Sequence, residues 1–286
     1  MPASPDISRT ADSAQRLTDV LRQCGPVAVA FSGGVDSAVV AKAAVLEFGD
    51  QAVAVTAVSP SLAQSELTVA RAEAAAIGIR HVEILTDEFT RVEYRANSGD
   101  RCFFCKDTLY GLAQAQLAEL GVRCLVNGAN VDDLGDHRPG MRAAANYNVR
   151  SPLVEAGISK AEVRALARLW QLSVAEKPAS PCLSSRIAYG VEVTAERVRR
   201  IELAEAFLRR EFGLTELRVR LEADDLARIE VPLPNLPVLV SESGRAAVTA
   251  EFRRIGFRRV TLDLEGFRSG SLNDSLPVVP LNDSAP

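Results

Sequence analysis

The stretch "GPVAVAFSGGVDSAVVAKAAVLEFG", residues 25–49, decides the fold. It begins as a short apolar run, breaks on two glycines set between serines, and resumes with helical apolar spacing as far as Gly49. The pattern predicts a buried strand, a tight turn and a helix that starts near Asp36. Glycines let a backbone approach an anion closely, and the unsatisfied N–H groups of a helix start point toward it. Ser32 and Ser37 add hydroxyl donors beside Gly33 and Gly34. An aspartate next to phosphate implies a hard cation between them, so Asp36 points to Mg²⁺. The spacing matches neither the Walker loop nor the dinucleotide fingerprint. The plainer alternative is a glycine turn with Asp36 favouring the helix dipole.

Outward from this loop, strand and helix alternate with short connections. "QAVAVTAV" (51–58) reads as a second strand, 61–78 as a helix stopping at Gly78, and "HVEILT" (81–86) as a third strand. Residues 106–121 read as a helix and "CLVNGAN" (124–130) as a fourth strand. This alternation predicts an α/β fold with a doubly wound parallel sheet. Residues 131–153 are polar with Gly and Pro and read as a long loop; 159–172 reads as a helix capped by Ser159. Residues 176–190, with two prolines, read as another loop. From Thr194 a long amphipathic helix, strands at "ELRVRLE" and "LARIEV", a helix and a last strand at "RRVTLDL" predict a small α/β domain. The expected division is 1–190, 191–267 and a Ser-, Asn- and Pro-rich tail, 268–286, with the composition of a disordered segment.

The bulk composition is that of an ordinary soluble globule. The 286-residue chain is 47% hydrophobic and 24% charged, with net charge −4, so no global basic field draws it to nucleic acid or membrane. No run approaches the ~18 apolar residues of a membrane span, and the N-terminus lacks a signal-peptide core. A cytoplasmic protein is expected.

Five cysteines are too few and too irregular for a secreted disulfide framework. Cys102 and Cys105 form a C-x-x-C in "RCFFCK", and Cys182 lies in "PCLSSR". Such a pair is a candidate zinc half-site, redox pair or iron–sulfur ligand set. The histidines, His81 and His137, have no zinc-like spacing. Cys124 opens an apolar strand and reads as a small buried hydrophobe; Cys24, at a helix end, has no assigned role.

The string "SGGVDS" resembles the PP-loop of ATP pyrophosphatases, whose members adenylate a substrate oxygen and release pyrophosphate. Together with "RCFFCK", "NGANVDDLGDHRPG", "PCLSSR" and "LDLEGFRSGSLN", it stands in the order found in LarE-type sulfur transferases, over roughly residues 15 to 273. The resemblance implies ATP with Mg²⁺ and a Rossmann-like fold. It also implies thiolation of pyridinium-3,5-biscarboxylic acid mononucleotide on the way to the nickel-pincer cofactor of lactate racemase. One branch of that family sacrifices a lone cysteine at the "PCLSSR" position. The other carries three cysteines and holds a 4Fe–4S cluster, and Cys102, Cys105 and Cys182 resemble that branch. A cluster held by three thiolates leaves one iron open to carry sulfide. A PP-loop synthetase of the NAD or GMP synthetase kind is the alternative, although ammonia chemistry has no use for three cysteines.

Around this core, Lys106 could neutralise phosphate or the cluster, or be a solvated helix-start lysine. Asn127 and Gly128 could contact the adenylate or the pyridinium, and Asp132 or Asp133 could assist Mg²⁺; an Asx-rich turn explains the same residues. Arg186 and the alternate pair Arg218 and Arg220 suit an anionic substrate, the latter two sharing one strand face. Exposed arginines on an edge strand are the alternative. The resemblance links these arginines to substrate phosphate and to assembly contacts, and implies a homo-oligomer supplied by sulfide or another sulfur donor.

Overall fold

The computed structural model describes residues 5–135 and 139–268. His137, the tail from residue 269, and the parts of the quoted motifs at 136–138 and beyond 268 lie outside the described residues. The chain forms two compact units. One comprises the chain up to Tyr94 together with Asp100–Pro181, the other Arg95–Gly99 together with the chain from Cys182 onward.

The first unit opens with α1 (Pro5–Cys24), β1 (Val27–Ala30), α2 (Val35–Phe48), β2 (Val53–Val58), α3 (Gln64–Ile77) and β3 (Arg80–Leu85). There follow α4 (Val92–Ala96), whose last two residues belong to the second unit, α5 (Arg101–Leu120), β4 (Cys124–Val126), α6 (Pro139–Asn146), α7 (Pro152–Glu155) and α8 (Lys160–Leu169). The four strands are parallel in the order β3-β2-β1-β4. Every residue of β1 is buried, as a parallel strand covered on both faces requires. Val27 and Val29 face a core built with Leu17, Leu21, Val39 and Leu166. Ala28 and Ala30 face a second core with Val55, Leu109, Tyr110 and Leu125. Helices therefore cover both sheet faces, and the doubly wound expectation holds. The chain winds from β1 to β3 on one side and returns to place β4 on the other. The strand order reverses between β1 and β4, where open α/β sheets bind ligands at the strands' carboxyl ends.

The second unit contains α9 (Ala195–Phe212), β5 (Arg218–Leu221), β6 (Leu226–Glu230), α10 (Leu236–Val240), α11 (Glu242–Ile255) and β7 (Arg259–Leu262). β6 is central, antiparallel to β5 and parallel to β7. Thr194 caps α9 by accepting from the Arg197 amide at 3.2 Å, a contact worth about 1 kcal/mol. Phe207, Phe252 and Phe257 pack between α9 and α11, with ring centroids 6.4 and 5.4 Å apart along the series. Asn97 explains why 95–99 travels with this unit: its amide donates to the carbonyls of Ala188 and Val191 at 2.8 and 3.1 Å.

Several expectations shift. Residues 131–153 are not one loop: they contain a 3-10 turn (Val131–Gly135), α6 and α7. Pro139 and Pro152, read as breakers, are first residues of helices, where the missing N–H costs nothing. Ala143, Ala144 and Leu153 in this stretch are buried. α5 begins at Arg101 instead of 106, so the C-x-x-C is helical. α3 begins at Gln64, β4 is three residues long, and α10 is an addition. The chain from Cys182 to Gly190, read as part of the first domain, packs with the second unit. No described helix is long and apolar enough to cross a membrane.

Candidate active site

The phosphate loop leaves the buried end of β1 and is cross-braced by its own hydroxyls. Ser37 Oγ donates to the Gly34 carbonyl at 3.0 Å and lies 3.2 Å from both the Ser32 amide and Ser32 Oγ. Gly33 has φ +67°, and a Cβ there would lie 2.8 Å from the Ala70 Cα on α3. Gly128, beyond β4, sits on the start of α2: its Cβ would lie 2.8 Å from the Ser37 amide nitrogen. Backbone cannot yield to such contacts cheaply, so both positions require glycine. Ser32, Gly33, Gly34, Asp36, Ser37 and Gly128 are thus brought together. Asn127 is buried and turns back to accept from the Ala129 amide at 3.0 Å.

Three residues at this loop were missed by the sequence reading. Lys160 Nζ, at the start of α8, reaches Asp36 Oδ2 at 2.5 Å. Asn130 Nδ2 donates to Asp36 Oδ1 at 3.1 Å. Lys177 Nζ lies 3.2 Å from the Gly33 carbonyl oxygen and 2.7 Å from Glu66 Oε2. The loop therefore combines helix-start amides, two hydroxyls and two ammonium groups, a donor set suited to polyphosphate. The Asp36 carboxylate offers the oxygens Mg²⁺ prefers. Asp132 and Asp133 take structural partners here: Asp132 accepts from the Lys160 amide at 2.7 Å and Asp133 from the Asn130 amide at 3.0 Å.

Lys160 is held from behind by a capping box on α8. Ser159 accepts from the Glu162 amide, and Glu162 accepts from the Ser159 amide at 3.0 Å and from Ser13 at 2.9 Å. Burial pushes the Glu162 carboxyl up, but these hydrogen bonds and the Arg16 guanidinium outweigh it and hold the group at about 2.

Cys102 and Cys105 lie in the first turns of α5, three residues apart and so on one helix face. Cys102 is exposed, Cys105 half-buried, and neither is in a disulfide. Thiolates suit iron–sulfur chemistry. Lys106 packs along Gly140 and puts Nζ 5.8 Å from the centre of the Tyr110 ring. Cys182, also an exposed free thiol, belongs to the second unit. Among the described residues no three His, Cys, Asp or Glu side chains gather as a metal site. His81 is used structurally, edge-on to Phe31 and 2.7 Å from Thr56 Oγ1.

Arg186, Arg218 and Arg220 all lie in the second unit and are buried, which replaces the exposed-edge alternative. Arg220 makes a two-pronged pair with the fully buried Glu230, both contacts at 3.0 Å. Arg186 pairs with buried Glu205 at 3.2 Å. Arg218 stacks on the Phe267 ring at 4.7 Å, and among the described residues it has no carboxylate at ion-pair distance. Burial, then the charges of Arg186 and Arg220, push its guanidinium below its ordinary value. The expected joint grip of Arg218 and Arg220 on one phosphate is thereby altered: Arg220 is already bonded to carboxylate. The acids Glu205 and Glu230 were not singled out from sequence, where they look like ordinary strand and helix surface residues.

The asparagine synthase family model matches residues 15–128, the part of the first unit that carries the phosphate loop. An uncharacterized protein of Synechocystis sp. is 47% identical over 86% of this chain and 91% of its own length. The pyridinium-3,5-bisthiocarboxylic acid mononucleotide synthase of Lactiplantibacillus plantarum is 35% identical over 91% of this chain and 93% of its own length. An uncharacterized protein of Methanocaldococcus jannaschii is 27% identical over 85% of this chain. The likeness to the synthase runs through both compact units, and the chain belongs to the LarE-type family of PP-loop, ATP-dependent sulfur transferases.

Proposed function

We propose that this protein activates the carboxylates of pyridinium-3,5-biscarboxylic acid mononucleotide with ATP and replaces the activated oxygen by sulfur. A carboxylate oxygen attacks the α-phosphorus of ATP, pyrophosphate leaves, and an acyl adenylate forms. A sulfide nucleophile then attacks the acyl carbon and AMP departs, leaving a thiocarboxylate. The observation that carries this reading is the pair of ammonium groups at the phosphate loop, Lys160 beside Asp36 and Lys177 beside the Gly33 carbonyl. With the Ser32 and Ser37 hydroxyls and the α2 amides they oppose the charge that builds on departing pyrophosphate. Asp36 would hold the Mg²⁺ that neutralises the polyphosphate. Arg218, buried without a carboxylate partner among the described residues, suits the phosphate of the mononucleotide.

Cys102, Cys105 and Cys182 would hold a 4Fe–4S cluster, which would supply sulfide from the iron that three thiolates leave open. The support is the thiol donor set, not locked in disulfides, and the three-cysteine sequence pattern. Sacrifice of Cys182 is the second reading. It is favoured by the exposure of that thiol at the end of an exposed run, residues 178–182. The experiment is anaerobic assay of pyrophosphate release from ATP with and without the bis-acid. Release that depends on the bis-acid is expected; release that ignores it, or none at all, would overturn the proposal.

A further inference from the structure

Two cysteines outside the phosphate loop and the C-x-x-C lie side by side in the first unit. Cys24 ends α1, and the chain then runs alongside the start of β4. The Pro26 carbonyl accepts from the Arg123 amide at 2.8 Å, and Val27 pairs with Cys124 in the parallel ladder. This register puts the two side chains at one core, Cys24 within it and Cys124 packed against it. Cys24 Sγ also lies 3.4 Å from the Val20 carbonyl oxygen, which keeps it turned into the helix end. Cys24 is buried, whereas Cys124 is half-exposed, and both are free thiols.

We propose that Cys24 and Cys124 are a reversible dithiol–disulfide pair that staples the end of α1 to the start of β4. Exposure gives the two cysteines different roles. Cys124 Sγ attacks one sulfur of a small-molecule disulfide oxidant, forming a mixed disulfide and releasing one thiol. Cys24 then loses its proton, attacks Cys124 Sγ and releases the second thiol. Two electrons pass from the protein dithiol to the oxidant, and one protein S–S bond replaces the bond broken in the oxidant. The surrounding charges favour this order. The neighbouring Cys24 thiol, as a proton donor, favours the Cys124 thiolate, burial opposes it, and the Arg150 guanidinium assists, leaving Cys124 at about 7. Glu155, ion-paired to Arg150, works weakly against it. The same neighbour and burial push Cys24 upward, so the proton stays on Cys24.

The staple lies at the amino end of β1, and the phosphate loop leaves the opposite end. The bond therefore closes a long loop without crossing the nucleotide site. Its formation should raise the thermal midpoint and leave ATP binding unchanged.

The test oxidises the full chain with glutathione disulfide, blocks remaining thiols with iodoacetamide and maps the peptides. Expected is a peptide pair joined through Cys24 and Cys124, loss of both from the alkylated set, and a higher thermal midpoint that dithiothreitol reverses. In Cys24→Ser, glutathione should remain attached to Cys124, because nothing resolves the mixed disulfide. Full alkylation of Cys24 and Cys124 after unfolding, under oxidation that modifies Cys102, Cys105 or Cys182, would overturn the proposal. So would a Cys124 joined to any cysteine other than Cys24.

Discussion

The phosphate loop of the first unit and the arginine cluster of the second are both rich in charge, yet they are built in opposite ways. At the loop, Lys160 and Asp36 meet with 38% and 26% of their side chains still exposed. Water can replace either partner, so the contact is cheap to exchange for a phosphate or a cation. In the cluster, Arg220 and Glu230 are 3% and 0% exposed, and Arg186 and Glu205 are 7% and 3% exposed. Those charges have no solvent to fall back on, and losing one partner strands the other. Density of charge alone does not mark a ligand site. What distinguishes the two regions is whether each charge can be released, and within the cluster Arg218 is the exception.

The contrast breaks most visibly at Arg220. Arg220→Met takes the two-pronged guanidinium from the fully buried Glu230 and leaves it Arg228 at 2.8 Å. A loss of about 3–5 kcal/mol is expected in urea unfolding. The double change Arg220→Met with Glu230→Leu should recover most of it, since Arg228 keeps Glu222 and Asp263. Arg218→Met should leave stability nearly unchanged while weakening mononucleotide binding. Equal destabilisation by the two single changes would erase the distinction drawn here.

Asp36→Asn tests the other side. Its ion pair is partly exposed, so stability should fall by no more than about 1 kcal/mol. Bis-acid-dependent pyrophosphate release should nevertheless drop on the order of 10²–10³-fold, because the charge proposed to hold Mg²⁺ beside pyrophosphate is gone. Undiminished release would remove Asp36 from the chemistry.

Gly128→Ala sharpens the comparison by geometry instead of charge. The added methyl group meets the Ser37 amide nitrogen at 2.8 Å, and relief of that overlap should cost about 1–3 kcal/mol. ATP affinity should fall while the second unit's Arg220–Glu230 pair is untouched. Unaltered ATP binding, read by calorimetry, would show that the loop yields easily.

The smallest effect concerns the cap behind Lys160. Glu162 sits at about 2 against an ordinary 4.5. Its stabilisation is therefore complete above about 4.5 and is lost as pH falls toward about 2. Glu162→Gln should cost about 1 kcal/mol at neutral pH and flatten that part of the acid-unfolding curve. An identical acid profile in the variant would assign the dependence elsewhere.

What sequence could reveal follows the same division. The loop glycines and serines are contiguous, and their spacing states their chemistry directly. The parallel sheet was legible because β1 is apolar throughout and β2 nearly so, with Thr56 its one polar residue. Lys160, Lys177 and Asn130 were not legible, because they reach the loop from chain more than ninety residues downstream, and a lysine at a helix start looks solvated. The helical C-x-x-C was obscured because Arg101, polar by type, is buried. Pro139 and Pro152 hid two helices, since a proline that starts a helix looks like one that stops it. Burial of Arg220 depended on an acid from β6, which alternation along β5 alone does not reveal.

In the proposed mechanism, sulfur reaches the activated carboxylate from a renewable carrier that Cys102, Cys105 and Cys182 would hold. The most direct measurement is the mass of the Cys182 peptide after anaerobic turnover with ATP, bis-acid and added sulfide, alongside the number of sulfurs delivered per chain. An unchanged Cys182 mass with more than one sulfur delivered, and loss of both iron and transfer in Cys102→Ser, is the expected result. Conversion of Cys182 to dehydroalanine with delivery stopping at one sulfur, undiminished in Cys102→Ser, would contradict it.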